Sequence, residues 1–308
     1  MIGVTIGVGP YREMAKKSAA ALSERTGLRT IILGDGDYCG TKKSPPHHLK
    51  FKLFKLIDDD DILYFDADLV CVEDWCPQQY AGSESIVAVR DFWFLQNIAQ
   101  DAKRLGIAAR DYFNSGFLIL NRRAHQGVLS LAENLLRDVA PTPFRDQSHL
   151  NLAARLLEVP VRFLDRRYNW IDYRHSELSS LVKPVNCHFN LNSKISAGEV
   201  PLLDTSTVVE FGRHIRADMF SAAAGLYTYE RVGKDRRALV LAADGTVGWN
   251  AAQLELYWFP FEENARLFIA LASRENVTCV LEERARDWVG NWLRFEKMPT
   301  ILHRRGFH

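Results

Sequence analysis

The chain has 308 residues, with 39 Lys and Arg against 38 Asp and Glu, a formal net charge of +1. At roughly 100–200 residues per domain, this length predicts one large domain or two. Hydrophobic residues make up 47% and charged residues 25%, which excludes a disordered chain; the absence of a basic excess argues against a general nucleic-acid binder.

The opening MIGVTIGVGPYREM has no basic lead, long apolar run or cleavage site, so a signal peptide is not expected. No apolar run approaches the ~20 residues that span a bilayer. Residues 2–8 read as a strand and 11–26 as an amphipathic helix stopped by Gly27. Residues 29–33 read as a second strand. Turn formers follow, and Pro45 and Pro46 keep that loop from being helical. Residues 48–57 (HLKFKLFKLI) suit either a strand or a helix. Residues 61–65 and 86–90 read as buried strands, and 116–120 as a short apolar strand. Helices are expected near 122–138 and 146–157, then a strand at 161–164. Strands alternating with helices predict an α/β domain with a mostly parallel sheet.

The character changes near residue 200. From Tyr227 onward, short runs recur: YTYERV, ALVLAADGTVGW, LELYWF, RLFIALA, VTCVLE and WLRFEKM. Asp244-Gly245 is a tight-turn signal between two of them. The expected organisation is an α/β domain over 1–200, a linker over 201–226 and a small antiparallel β-rich domain over 227–308. The five cysteines (Cys39, Cys71, Cys76, Cys187, Cys279) are scattered with no CxxC. That spacing predicts neither a disulfide framework nor a zinc site, and fits a reducing cytoplasm.

Four segments can carry chemistry. In DDDDILYFDADLV, Asp66-Ala67-Asp68 follows an apolar strand directly. A turn there can direct both carboxylates at one hard divalent cation, beyond the carboxyl end of a strand. Asp58, Asp59 and Asp60 read as a solvated loop. In YFNSGFLILN, Asn114 and Ser115 precede an apolar strand, and Gly116 lets backbone approach a ligand. In FRDQSHLN, Asp146 can cap a helix with Gln147 in its first turn; the same pair also suits contact with developing charge. In VNCHFNLNSK, His188 is a competent metal ligand, and Lys194, six positions on, can neutralise diphosphate.

In this order, together with RRYNW (Tyr168-Asn169), these segments resemble glycosyltransferase family 8 over about residues 1–200. That family includes glycogenin and the bacterial lipopolysaccharide galactosyl- and glucosyltransferases. The resemblance implies a type-A glycosyltransferase fold, retention of anomeric configuration and a nucleotide sugar donor, usually UDP-glucose or UDP-galactose. It implies a manganese or magnesium ion on Asp66, Asp68 and His188, with Lys194 on the diphosphate. Lys50 stands where the family often has an arginine that contacts the donor. Asn114, Asp146 and Gln147 would surround the transferred sugar, with Ala67 and Ser115 beside the donor. Asp91, after the strand at 86–90, matches an acceptor-side aspartate. The chain departs from the pattern at Leu191, where a glycine is expected, and at Ile195-Ser196, where Pro-Trp is expected. It also has Val8-Gly9-Pro10-Tyr11 where the family commonly has an aspartate for the uracil base. Backbone at Val8 and Gly9, and stacking by Tyr11, would then meet the base.

Three other classes fit parts of the pattern. A nucleotidyltransferase also uses paired aspartates, but GVGPYREM is a poor match to its Gly-rich basic loop. A sugar-binding scaffold would make the triad incidental, and a nucleotide-sugar hydrolase differs only in its acceptor. The expected partners are a nucleotide sugar and a glycan, lipid-linked or protein acceptor. Four tryptophans of the C-terminal region, Trp249, Trp258, Trp288 and Trp292, read either as a glycan-stacking platform or as the core of a small sheet. The end, KMPTILHRRGFH, carries Lys297, Arg304 and Arg305. It leaves room for weak contact with an anionic membrane, although a solvated tail is the simpler expectation.

Overall fold

The computed structural model describes residues 1–38, 45–138, 144–171, 182–189, 215–248, 251–293 and 298–305. The chain divides into two units. One comprises Met1–Ile171 with Val185–Thr205, the other Asp172–Pro184 with Ser206–His308.

The first unit begins with β1 (Ile2–Ile6), α1 (Arg12–Thr26) and β2 (Thr30–Leu33). Gly27 ends α1 in the left-handed conformation, φ 69°, as a helix-stopping glycine does. Residues 48–57, ambiguous by periodicity, are helical: a 3-10 helix over Pro46–Lys52 runs into α2 (Leu53–Leu56). Then come β3 (Asp61–Phe65), β4 (Leu69–Cys71), β5 (Ile86–Arg90), α3 (Gln96–Arg104), β6 (Phe113–Asn121), α4 (Arg122–Asp138), α5 (Asp146–Leu156), β7 (Val161–Leu164), β8 (Trp170–Ile171) and β9 (Asn186–His188).

The main sheet has the order β2-β1-β3-β6-β5-β7. Its pairings are parallel except those of β6, which is antiparallel to both β3 and β5. The expected mostly parallel α/β sheet is therefore present, with one reversed strand. Both faces are covered, so its strands read as continuous apolar runs. Ile2, Val4, Ile62, Tyr64, Leu118 and Leu120 pack on one side with Leu53, Val128 and Leu150. Leu63, Phe65, Val87, Phe117 and Ile119 pack on the other with Ala19 and Leu22 of α1. Period-2 alternation separates the two sets. α1 comes close to β1 because Gly3 and Gly7 lack side chains. A Cβ on Gly3 would lie 2.9 Å from Leu22 Cδ2, and one on Gly7 2.8 Å from Ala15 Cβ.

Asn114 and Ser115 lie inside β6, not in a loop before it, which corrects the sequence expectation; Gly116 is in the strand as expected. The β5–β6 register shifts there: Ala88 pairs with Leu118, but Val89 pairs with Asn114. The residues between form a bulge, a device that re-aims side chains beside a site. A three-stranded sheet, β4-β9-β8, joins this unit. Leu69 pairs with His188, and Phe189 N–H donates to Asp68 C=O at 3.0 Å.

The second unit contains α6 (Met219–Ala223) and strands β10 (Gly225–Arg231), β11 (Asp235–Leu241), β12 (Tyr257–Glu263), β13 (Arg266–Ala272), β14 (Val277–Arg284), β15 (Asp287–Trp292) and β16 (Pro299–Arg304). They form an antiparallel sheet in the order β11-β10-β16-β15-β14-β13-β12. Val247 bridges Leu241 next to β11, and Thr246 bridges Tyr257 of β12. The segment after the Asp244-Gly245 turn thus spans the two ends of the sheet, and Gly245 takes φ 75° there. Pro260 sits in β12, at the end of the strand order, where a missing N–H costs no ladder bond. Part of the span read as a linker is structured here, since Ile215 bridges Phe261 and Phe220 packs on Trp258 at 5.0 Å. The run WLRFEKM does not form one strand: Trp292 ends β15 and Pro299 begins β16, while residues 294–297 lie outside the described residues.

Trp258, Trp288 and Trp292 are buried, and Trp258 Nε1–H donates to Ala242 C=O at 2.9 Å. They fill the core and form no exposed platform; Trp249 lies outside the described residues. Trp258→Ala is expected to cost about 3–5 kcal/mol of stability, measured by urea unfolding of the full chain. A loss below about 0.5 kcal/mol, the usual size for a surface change, would contradict the core assignment.

Candidate functional site

Asp66 follows β3, Asp91 follows β5, and Val8 and Gly9 follow β1. Because β6 runs antiparallel, its beginning lies at the edge where β3 and β5 end. Asn114 and Ser115 therefore meet the two aspartates at the carboxyl edge of the sheet, where ligands of open α/β folds bind.

Asp66, Asp68 and His188 converge there, with one ligand atom of each within 4.8 Å of the others. His188 Nε2 lies 3.2 Å from Asp68 Oδ1 and 3.9 Å from Asp66 Oδ2. Pairing of β9 with β4 brings the histidine from far along the chain. Burial draws the His188 pKa down, but Asp68 and Asp66 outweigh it and hold the group above its ordinary value. Its Nδ1 lies 2.9 Å from Asn169 Oδ1. With the Nδ1 proton donated there, Nε2 is left to face the carboxylates, the usual arrangement of a metal-binding imidazole. Two carboxylates and one imidazole suit a divalent cation. Gly116 keeps the space open: a Cβ there would lie 2.7 Å from Asp66 Oδ2 and 2.8 Å from His188 Cε1.

Beside the triad, Lys50 and Asp146 form a buried ion pair, Nζ to Oδ2 2.6 Å. Ser115 Oγ donates to the same Oδ2 at 3.0 Å. Burial raises the Asp146 pKa, but Lys50 and His47 outweigh it and hold the carboxyl below its ordinary value. Burial likewise lowers the Lys50 pKa, but Asp146 and Asp66 return it above normal. Asp146 is the first residue of α5; the cap position belongs to Arg145, which makes no side-chain capping bond. Capping is therefore not what Asp146 does. Arg145 takes φ 49°, a strained value for a residue with a side chain, and so turns the chain into α5.

Gln147 is fixed on both sides. Its Nε2 donates to Asp91 Oδ2 at 2.6 Å, and its Oε1 accepts from Ser115 N–H at 3.0 Å. Asp91 Oδ1 accepts from Phe92 N–H at 2.7 Å. Asp91 is buried, and burial lifts its pKa above the ordinary range despite these donors. Asn114 Oδ1 accepts from Gly116 N–H at 2.9 Å and from Asn169 Nδ2 at 2.8 Å. A polar chain thus runs from His188 through Asn169 and Asn114 to the neighbourhood of Asp91 and Gln147.

Tyr11 and Ala67 pack in one small cluster with Met14 and Ala15, which brings the β1 loop beside the paired aspartates. Gly9 N–H donates to Asp35 Oδ1 at 3.0 Å. Lys194 lies outside the described residues. Sequence reading missed Tyr64, whose hydroxyl donates to Asp66 Oδ1 at 2.7 Å. It also missed Asn151, which bonds both backbone groups of Phe113 at 2.9 Å. Asn151 sits four positions after Gln147, a spacing that places both on one helix face. His47 was missed as well. Its Nε2 is buried without a hydrogen bond, and burial lowers its pKa to about 4.

The family model described as glycosyl transferase family 8 matches residues 40–194. No curated protein sequence matches the chain. Among solved structures, the galactosyltransferase LgtC with donor and acceptor sugar analogs is 16% identical, with TM-score 0.47 over 62% of this chain and 87% of that one. The WbbM bifunctional glycosyltransferase is 13% identical, with TM-score 0.48 over 62% of this chain and 45% of that one. Mouse xyloside xylosyltransferase 1 is 12% identical, with TM-score 0.42 over 62% of this chain and 98% of that one. No helix of the described residues is long and apolar enough to cross a membrane.

The neutral, buried His47 gives a pH prediction. The unfolded chain protonates this histidine below about 6.5, while the folded chain resists until about 4. Stability therefore falls as pH drops through that window, by up to about 1.4 kcal/mol per pH unit from this residue. Urea unfolding of His47→Gln is expected to lose that part of the slope. An unchanged slope would show that His47 is protonated normally in the fold.

Proposed function

We propose, from the premise that this chain belongs to glycosyl transferase family 8, that it is a metal-dependent, retaining hexosyltransferase. Its donor is a nucleotide diphosphate sugar, by family habit a UDP-sugar, and its acceptor a glycan, lipid-linked or protein hydroxyl. The observation that carries this reading is the convergence of Asp66, Asp68 and His188 beside the Lys50–Asp146 pair.

The triad would hold a manganese or magnesium ion, which when bound supplies Lewis-acid stabilisation of the departing diphosphate. Lys194, on the family pattern, adds a positive charge to the same group. The base would lie by Val8, Gly9 and Tyr11, where the Asp35 carboxylate beside Gly9 N–H adds an acceptor. Ala67 and Ser115 would flank the donor.

The reaction exchanges one bond for another at the anomeric carbon. The bond to the phosphate oxygen breaks, the bond to the acceptor oxygen forms, and positive charge builds on the sugar between these events. Asp146 Oδ2 is occupied by Lys50 and Ser115. Its Oδ1 makes no hydrogen bond among the described residues and is the atom assigned to the sugar. Gln147 is a poor nucleophile, since an amide is weakly nucleophilic and its oxygen already accepts a backbone N–H. Same-face attack fits this better, with the leaving phosphate taking the acceptor proton. Asp91, in this reading, orients Gln147 and Asn114 towards the acceptor side.

The test is a mass-spectrometric screen of nucleotide sugars with the full chain, with and without manganese, alongside Asp68→Ala. Consumption of one sugar nucleotide that depends on metal and falls at least about a hundredfold in the variant is expected, since even second-shell losses at metal sites cost 10–100-fold. Equal turnover by the variant, or none of any donor by the native chain, would overturn the reading.

A further inference from the structure

A half-open cavity of about 320 Å3 lies in the first unit, between α5, β7, the start of β6 and the turn that precedes it. Val159, Val161 and Phe163 line it from one face of the chain, by the period of two. Phe113 and Ala154, both buried, complete its apolar wall. None of the residues assigned above to the cation, the donor or the transferred sugar lines it. The basic residue of the lining is Arg155, which shares one face of α5 with Asn151. Gly106, at φ 65°, leaves room for it: a Cβ there would lie 3.0 Å from Arg155 Nη2. Arg155 Nη1 donates to Leu105 C=O at 3.0 Å, which fixes the guanidinium against the turn. Its Nε and Nη2 make no hydrogen bond among the described residues, and no carboxylate there pairs with it. The acid of the lining, Asp111, lies 3.7 Å from Nη1 of a different arginine, Arg90.

We propose that this cavity is a second ligand site, which takes a small ring-bearing carboxylate on Arg155. The charge requirement comes from the guanidinium. With Nη1 held by the backbone, Nε–H and Nη2–H remain on one edge of the plane, a fork that grips a carboxylate through two parallel bonds. The body of the ligand follows from the wall and the volume. An apolar cavity of about 150 Å3 holds a benzene ring, so this one suits about two fused rings. A bare inorganic anion would leave the wall of Val161, Phe163 and Phe113 in water, and a neutral hydrocarbon would leave the fork unused. Asp111, also in the lining, disfavours a second negative charge on the ligand. The inference goes beyond the transfer reaction and does not rest on the reading of Asp66, Asp68 and His188.

The test is titration calorimetry of the full chain, without metal or nucleotide, using 2-naphthoate as the probe and 2-naphthamide as its neutral counterpart. The native chain is expected to bind one naphthoate saturably and the amide at least about tenfold more weakly, the scale of a lost charge-assisted hydrogen bond. Arg155→Met, which keeps an apolar stem and removes the fork, should lose at least as much affinity for the acid. Ala108 is exposed and lines the cavity, so Ala108→Trp should block it and abolish binding. The comparison of acid with amide uses the native chain alone and decides the charge requirement even where a variant folds poorly. No saturable binding of naphthoate, or equal affinity for acid and amide, would overturn the proposal. So would native affinity in Arg155→Met, or binding that survives Ala108→Trp, which would place the probe elsewhere.

Discussion

The buried ion pair between Lys50 and Asp146 is the interaction on which the site is built. Taking two charges out of water is costly and is repaid only when geometry and hydrogen bonding are complete. Here the ammonium spends all three protons on Asp146 and Ser115. Three parts of the chain are joined at that point: the helical segment before β3, the bulged start of β6 and the first turn of α5. Parting the helical segment from α5 would strand a buried charge, and parting β6 from either would break hydrogen bonds of Ser115. The pair lies beside Asp66, whose Oδ1 is 3.6 Å from Lys50 Nζ.

The second constraint is the reversal of β6. A parallel strand would carry Asn114 and Ser115 to the far edge of the sheet, away from Asp66 and Asp91. The antiparallel run brings them to the edge where β3 and β5 end, and at the bulge opposite Ala88 and Val89 they meet Asp91 and Gln147. Gly116 completes the arrangement, because any side chain there would occupy the space of the Asp66 carboxylate and the His188 ring. The same residues then connect the proposed cation and acceptor sides. Asn114 accepts from Asn169, which orients His188, and it donates weakly to Asp91, which orients Gln147.

Much of this was legible in the sequence, and the gaps have physical causes. The strand before Asp66 was readable because both sheet faces are covered, so DILYF is apolar throughout. Gly27 marked the end of α1 because only a left-handed residue suits that position. Residues 48–57 stayed ambiguous because a short 3-10 helix has no distinct apolar period. Asn114 and Ser115 looked like loop residues because a bulge tolerates polar groups that a regular buried strand does not. The depth of Lys50 could not be read at all: a lysine in a local pattern gives no sign that its two carboxylates arrive from positions 66 and 146. The strand β9 was missed because three residues carry no periodicity, yet it delivers His188. In the second unit, alternating aromatics announced strands, and burial of Trp258, Trp288 and Trp292 decides between core and platform.

A near-zero net charge conceals this separation of charge within one site. Two aspartates and a histidine face a cation position, while a lysine and a third aspartate neutralise each other beside it. On the proposed reading, that division would let one edge of one sheet serve both a diphosphate with its metal and a neutral sugar. The most direct measurement is anomalous X-ray scattering from a crystal of the full chain grown with Mn2+ and UDP. The account predicts a manganese peak bounded by Asp66, Asp68 and His188, with Lys50 still bonded to Asp146. A peak elsewhere, or a crystal with UDP bound and no manganese at the triad, would contradict it.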